Sequence, residues 1–233
     1  MSGGLPGICF YRDALVRKNK FSAHLETLIE RDLRLISATT LPNSTIRTLI
    51  EELALVQAEP LEWGILARNT GISVNTLKKM LSALEGLFLI RQIQGPGRTP
   101  VIFFEDQGMA SYLMNRRGAL ISSKELPSVS DMLRGLYACV ATQNRYLPTL
   151  AGDFFQFLTR GGAQMPLALR CSEGSQIGFI CSRQDQATSS HIRSARSFCA
   201  QTEKSYALVL HLGTQTRQLS ARIWELPLGA LVT

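Results

Sequence analysis

The sequence predicts an α+β protein in two parts, a helical N-terminal domain followed by a small α/β domain. Three observations carry this reading. Apolar residues recur at three- and four-residue steps through the first half. A polar stretch with Gly, Ser and Pro interrupts the chain near residues 118–129. Strand-like apolar runs then alternate with helical segments to the end. With 233 residues there is room for two modest cores. The boundaries follow as a lead-in segment 1–20, a helical domain 21–117, a linker 118–129 and an α/β domain 130–233.

After a lead-in rich in Gly and then in basic residues, Phe21, Leu25, Leu28, Ile29, Leu33 and Ile36 fall on one helical face. Leu41-Pro-Asn-Ser-Thr breaks that helix, and Asn43 or Ser44 is expected to cap the next, which carries Ile46, Leu49, Ile50, Leu53 and Leu55. A short amphipathic helix from Leu61 ends at Gly71. Ser73 is the candidate N-cap of a further helix with Val74, Leu77, Leu81, Leu84 and Phe88 along its stripe. Leu87–Ile93 reads as a strand, Gly95-Pro-Gly as a tight turn, and Val101–Phe104 as the returning strand. Two helices joined at a glycine, then a hairpin with a basic tip, make a winged helix-turn-helix, a unit that commonly binds DNA. A short helix opens at Glu105-Asp-Gln-Gly. Beyond the linker come a helix from Asp131 to Gln143, strands at 154–158, 167–170 and 176–181, a helix near 187–200, and strands at 206–211 and 219–224.

Composition narrows the function classes. Apolar residues make up 45%, as in a folded chain, and no apolar run approaches the roughly 20 residues that cross a bilayer. The opening residues lack the pattern of a signal peptide, so a cytoplasmic location without a membrane partner is expected. Lys and Arg outnumber Asp and Glu by 25 to 18, with a pI near 9.4, a balance that favours polyanions and equally serves solubility. The five cysteines (9, 139, 171, 181, 199) form no Cys-x-x-Cys pair and read as reduced, mostly buried thiols. His24, His191 and His211 lack metal-ligand spacing. No metal or cofactor is expected.

On the second helix of the motif, Ser73, Asn75, Thr76, Lys78 and Lys79 fall off the apolar stripe. In a major groove, Asn75 could read adenine, Ser73 and Thr76 could bond phosphates or bases, and the lysines would release counterions. The competing reading is a solvated helix face. Arg91 and Arg98 bracket the hairpin, with Arg98 at a tip suited to a minor groove or to the backbone, or simply to solvent. Leu61–Pro100 holds five basic residues against Glu62 and Glu85, a modest excess. Trp63 and Phe88 read as core, and Phe154, Phe155 and Phe157 as filling the second core.

Three segments carry a resemblance: His24-Leu-Glu-Thr-Leu-Ile-Glu-Arg-Asp-Leu33, Leu84-Glu-Gly-Leu-Phe-Leu-Ile-Arg91 and Phe103-Phe-Glu-Asp-Gln-Gly108. In that order they resemble the C-terminal region of a large prokaryotic family of AAA-type ATPases, in which an ATPase is followed by a winged helix and a domain similar to PD-(D/E)XK nucleases. Gly3-Gly-Leu-Pro6 is similar to the segment where the ATPase part of that family ends. The resemblance implies a restriction-endonuclease-like fold for the second half.

Two departures limit what it implies. The chain has no Gly-x-x-x-x-Gly-Lys-Ser/Thr loop to cradle phosphates, so ATP hydrolysis is not expected. In the family a hairpin supplies an acidic residue, and a Pro-Ile-Glu-Val-Lys-like strand supplies a Glu and a Lys, the carboxylates holding Mg²⁺. Here that strand reads Pro166-Leu-Ala-Leu-Arg170, so Ala168 stands at the Glu position and Arg170 at the Lys position. Phe155 lies near the expected Asp, Ala138 replaces a helical Glu, and Asp153 is alone. The expectation is a non-enzymatic module that binds double-stranded DNA through Ser73–Lys79, Arg91 and Arg98. The alternatives are a module that holds or regulates an ATPase domain or another protein, and a divergent metal-dependent nuclease.

Overall fold

The structure, a computed structural model, describes residues 3–96, 99–119 and 126–231. It is a mixed α+β chain in two compact units, Met1–Gln92 with Val101–Ser123, and Ile93–Pro100 with Lys124–Thr233. No helix among the described residues is long and apolar enough to cross a membrane.

In the first unit, Asp13 opens α1 (Ala14–Thr27) by accepting the backbone N–H of Leu15 and Val16 at 2.7 and 3.0 Å. Helix therefore begins inside the expected lead-in segment, because the cap lies ahead of the apolar stripe that starts at Phe21. A π turn at Leu28–Asp32 leads into α2 (Leu33–Ile36). Phe21, Leu25, Leu28, Ile29 and Leu33 are buried, whereas Ile36 is exposed, since α2 ends there and Ser37 turns extended.

α3 (Asn43–Leu55) starts after Pro42 without a side-chain cap. Asn43 is its first helical residue, and its side-chain oxygen accepts from the Arg34 guanidinium at 2.7 Å instead. α3 buries Ile46, Leu49, Ile50 and Leu53, and with them Glu51 and Glu52. Those two carboxylates are paired, Glu51 with Arg116 at 2.9 Å and Glu52 with Arg117 and, at 2.8 Å, with Asn69. Pairing of this kind offsets the cost of removing charge from water.

α4 (Trp63–Thr70) ends at Gly71, whose φ of +69° is the left-handed conformation that favours glycine. α5 (Val74–Gly86) follows, then the paired strands β1 (Ile90–Ile93) and β2 (Val101–Phe104). α6 (Gln107–Arg116) is capped by Asp106, which accepts from Met109 at 2.7 Å and also holds the backbone N–H of Gly4 and Leu5. Leu25, Leu33, Leu49, Leu53, Leu77, Leu81, Leu84 and Leu113 are fully enclosed in one core. Each contributes on the order of 1.5–3 kcal/mol of burial.

The second unit begins with α7 (Val129–Tyr146), opened by a reciprocal cap between Ser128 and Asp131. The strands are β3 (Gly152–Leu158), β4 (Gln164–Cys171), β5 (Gln176–Cys181), β6 (Ser205–His211), β7 (Arg217–Ser220) and β8 (Ile223–Pro227), with α8 (Ser189–Cys199) between β5 and β6. They form a six-stranded sheet in the order β3-β4-β5-β6-β8-β7. β3, β4 and β5 are antiparallel neighbours, β5, β6 and β8 are parallel, and β7 returns antiparallel on β8. The single strand expected at 219–224 is two strands, because the chain reverses after Ser220 and the largely exposed β7 supplies the sheet edge.

The phenylalanines of β3 divide between the two faces, as strand alternation requires. Phe155 and Phe157 meet Phe198 of α8 at 6.3 and 5.3 Å between ring centroids, and Phe154 meets Tyr137 of α7 at 5.3 Å.

Candidate nucleic-acid interface

The outward face of α5 follows from its inward one. Leu77, Met80, Leu81 and Leu84 are buried, which leaves Asn75, Lys78, Lys79 and Ser82 exposed at steps of three and four on the opposite side. Ser73 is the N-cap as expected. Its Oγ accepts the Thr76 N–H at 3.3 Å and lies 2.9 Å from the Thr76 hydroxyl. Both hydroxyls thus close the start of the helix, and Asn75 and the two lysines remain as its outward polar groups. Neither Lys78 nor Lys79 has an ion pair among the described residues. Lys78 Nζ stands 5.6 Å from the centroid of the Trp63 ring, so the half-buried indole of α4 holds one cation of α5 in place.

The hairpin residues behave differently. Arg91 donates to the buried carboxylate of Glu105 at 3.0 Å, so part of its charge is spent inside the unit. Glu85 is occupied by Gln92, accepting from its backbone and side-chain nitrogens at 2.8 Å each. Arg98 lies outside the described residues. Residues Ile93–Pro100 belong to the second unit. There Gln156, at the bulge of β3, donates its backbone N–H to Gln94 at 3.0 Å and its side-chain amide to Ile93 at 2.6 Å. A Cβ on Gly95 would sit 3.0 Å from that of Gln156, a tight approach that favours glycine.

Phe88 corrects the expected stripe. It is 73% exposed with φ at +56°, outside the helix. α5 ends at Gly86, and the chain turns through a left-handed residue to start β1, so the continuation of the three- and four-residue step carries no burial. Gln156 and the buried acids Glu51 and Glu52 had no signal in the pattern, since each depends on a partner distant in sequence.

The β3–β4 register places Asp153 opposite Arg170 and Phe155 opposite Ala168. Ala168 is fully buried beneath α8, and the Arg170 guanidinium lies 4.8 Å from the centroid of the Phe155 ring. Among the described residues no group of three or more His, Cys, Asp or Glu side chains could hold a metal ion.

Burial shifts Cys181, Cys199 and His191 in the second unit. Burial pushes the Cys181 thiol up to about 12, and it raises Cys199 despite the opposing charge of Arg222. His191 is lowered by burial, and its Nδ1 accepts the Thr188 N–H within the cap of α8. His211 Nδ1 accepts from Gly213 at 3.1 Å. Burial alone would raise the Glu225 carboxyl, but hydrogen bonds from Arg217 and the Ala187 backbone, with the charges of Arg217 and His211, hold it below its ordinary value.

No curated protein and no solved structure matches this chain. A family model described as "Domain of unknown function (DUF8612)" matches residues 1–119, the stretch that holds α1 to α6. By that match over half its length, the chain belongs to the DUF8612 family.

Proposed function

We propose that this chain is a non-catalytic module that binds double-stranded DNA, with α5 as its reading helix in a winged helix-turn-helix. The observation that carries the reading is the face of α5, where Asn75, Lys78 and Lys79 stand exposed together, the lysines without acidic partners among the described residues, directly behind a satisfied cap. The lysines neutralise phosphates and release counterions, and Asn75 meets base edges from the first turn. Arg91, paired with Glu105, is secondary. The hairpin end held by Gln156 is positioned for structure first, so α5 supplies most of the contact.

A nuclease-like second domain that has lost its chemistry completes the reading. Its support is the order of helix, antiparallel hairpin, strand, crossover helix and parallel strand. Apolar Ala168 and Phe155 stand at the positions where the resemblance calls for acids. Asp153 alone would bind Mg²⁺ poorly, because that ion gives up water reluctantly without several charged oxygens. The resemblance to the C-terminal region of AAA-type ATPases suggests that such a module serves an ATPase on DNA.

One observation favours a protein-interaction module instead. Phe88, Leu35 and Ile36 are exposed apolar side chains of the first unit, and a Cβ on Gly86 would lie 3.6 Å from Ile36. Mobility-shift titration of a labelled duplex separates the two. A DNA-binding module shifts the duplex, and Lys78→Glu with Lys79→Glu abolishes the shift. Equal behaviour of parent and variant, or no shift at low salt, favours the protein partner.

A further inference from the structure

We propose that the segment Phe10–Lys20 is a platform for single-stranded nucleic acid, separate from the duplex-binding face of α5. Phe10 is 86% exposed and Tyr11 43%, two adjacent aromatic rings presented to solvent where α1 begins. The same segment holds Arg12, Arg17, Lys18 and Lys20 against a single acid, Asp13.

The geometry holds the rings in place and leaves the charge positive. Arg17 donates to the backbone carbonyls of Tyr11 and Arg12 at 2.7 Å each, which ties the aromatic turn to the first turn of α1. Lys20 Nζ lies 4.6 Å from the centroid of the Tyr11 ring. The Asp13 carboxylate is taken up by the helix start and pairs with no cation, and neither Arg12 nor Lys18 has an ion pair among the described residues. Exposed rings beside unpaired cations are what an unstacked strand requires, since bases stack on the rings while the cations follow the phosphates. A duplex keeps its base faces covered and has no use for the rings. A lipid surface would need a continuing apolar stripe. Beyond Leu15, however, the exposed residues of α1 are Lys18, Asn19, Ala23, His24, Glu26 and Thr27, which form no apolar stripe, and its Phe21 and Leu25 are buried in the core.

The test is fluorescence anisotropy of the intact chain with a labelled oligothymidine of about 15 nucleotides at about 50 mM salt. The parent binds. Phe10→Ala with Tyr11→Ala lowers affinity at least about tenfold, as expected for the loss of two stacked bases, and leaves duplex binding and the melting temperature unchanged. Lys78→Glu with Lys79→Glu, which tests α5, changes oligothymidine affinity less than about twofold, so either reading can fail without the other. Phe10→Trp retains affinity and Phe10→Leu loses it, because stacking needs a ring and apolar area alone does not suffice. No binding by the parent, a double variant within about twofold of it, or equal behaviour of the Trp and Leu variants overturns the proposal. So does binding to phosphatidylserine vesicles, lost in the double variant, by a chain that ignores the oligonucleotide.

Discussion

The Nζ of Lys78 on α5 stands 5.6 Å from the centroid of the Trp63 ring on α4, so the first helix of the pair fixes a cation of the second. A lysine steadied in this way loses less side-chain freedom when it meets a phosphate, which favours binding. Lys78→Ala is therefore expected to weaken duplex binding about threefold to tenfold and to reduce the salt slope by about 0.9. Because the residue is exposed, the melt should change by less than about 1 kcal/mol. An unchanged slope would remove Lys78 from the interface.

Phe88 combines a left-handed backbone with an exposed ring. Phe88→Gly relieves the steric conflict of a side chain at positive φ and removes little buried area. The expected result is stabilisation by about 0.5–1 kcal/mol in thermal or urea unfolding. Destabilisation beyond about 1 kcal/mol would mean that the ring packs on something in solution.

Glu225 provides a pH signature. Its folded value is depressed, so the stability it contributes is present above its unfolded value, near 4.5, and is lost as pH falls through the lower folded value. Urea unfolding between neutral pH and about pH 3 should show this acid-side loss, with a shallower loss in Glu225→Gln. Equal acid limbs in the two proteins would contradict the assigned pairing with Arg217 and Ala187.

Cys181 should be inert in the folded chain. Its thiol is buried and pushed up to about 12, so almost no thiolate exists at neutral pH. Modification by Ellman's reagent, followed residue by residue by mass spectrometry, is expected at Cys181 only at the rate of unfolding. Rapid labelling of Cys181 in native conditions would contradict its placement in β5.

The parts legible in the sequence were those fixed by local chemistry. The Ser73 cap, the left-handed Gly71 and the burial of Leu77, Leu81 and Leu84 follow from residue type and helical spacing, and they place Asn75, Lys78 and Lys79 outward without any tertiary information. Sequence periodicity overran its range at Phe88, where it could not register that Gly86 ends the helix. The split of 219–224 into β7 and β8 depends on a short polar edge strand with little apolar signal. The hold of Gln156 on Ile93 and Gln94, and the burial of Glu51 and Glu52 beside Arg116 and Arg117, are long-range pairings with no local signature.

The most direct test of duplex binding by α5 is the salt dependence of anisotropy with a labelled duplex. Two exposed lysines on one helix face, neither in an ion pair among the described residues, predict binding at low salt, with a log–log slope of about −2 that falls toward zero when both become Glu. A slope near zero in the parent, or a steep slope unchanged by the Lys78 and Lys79 substitutions, would contradict it.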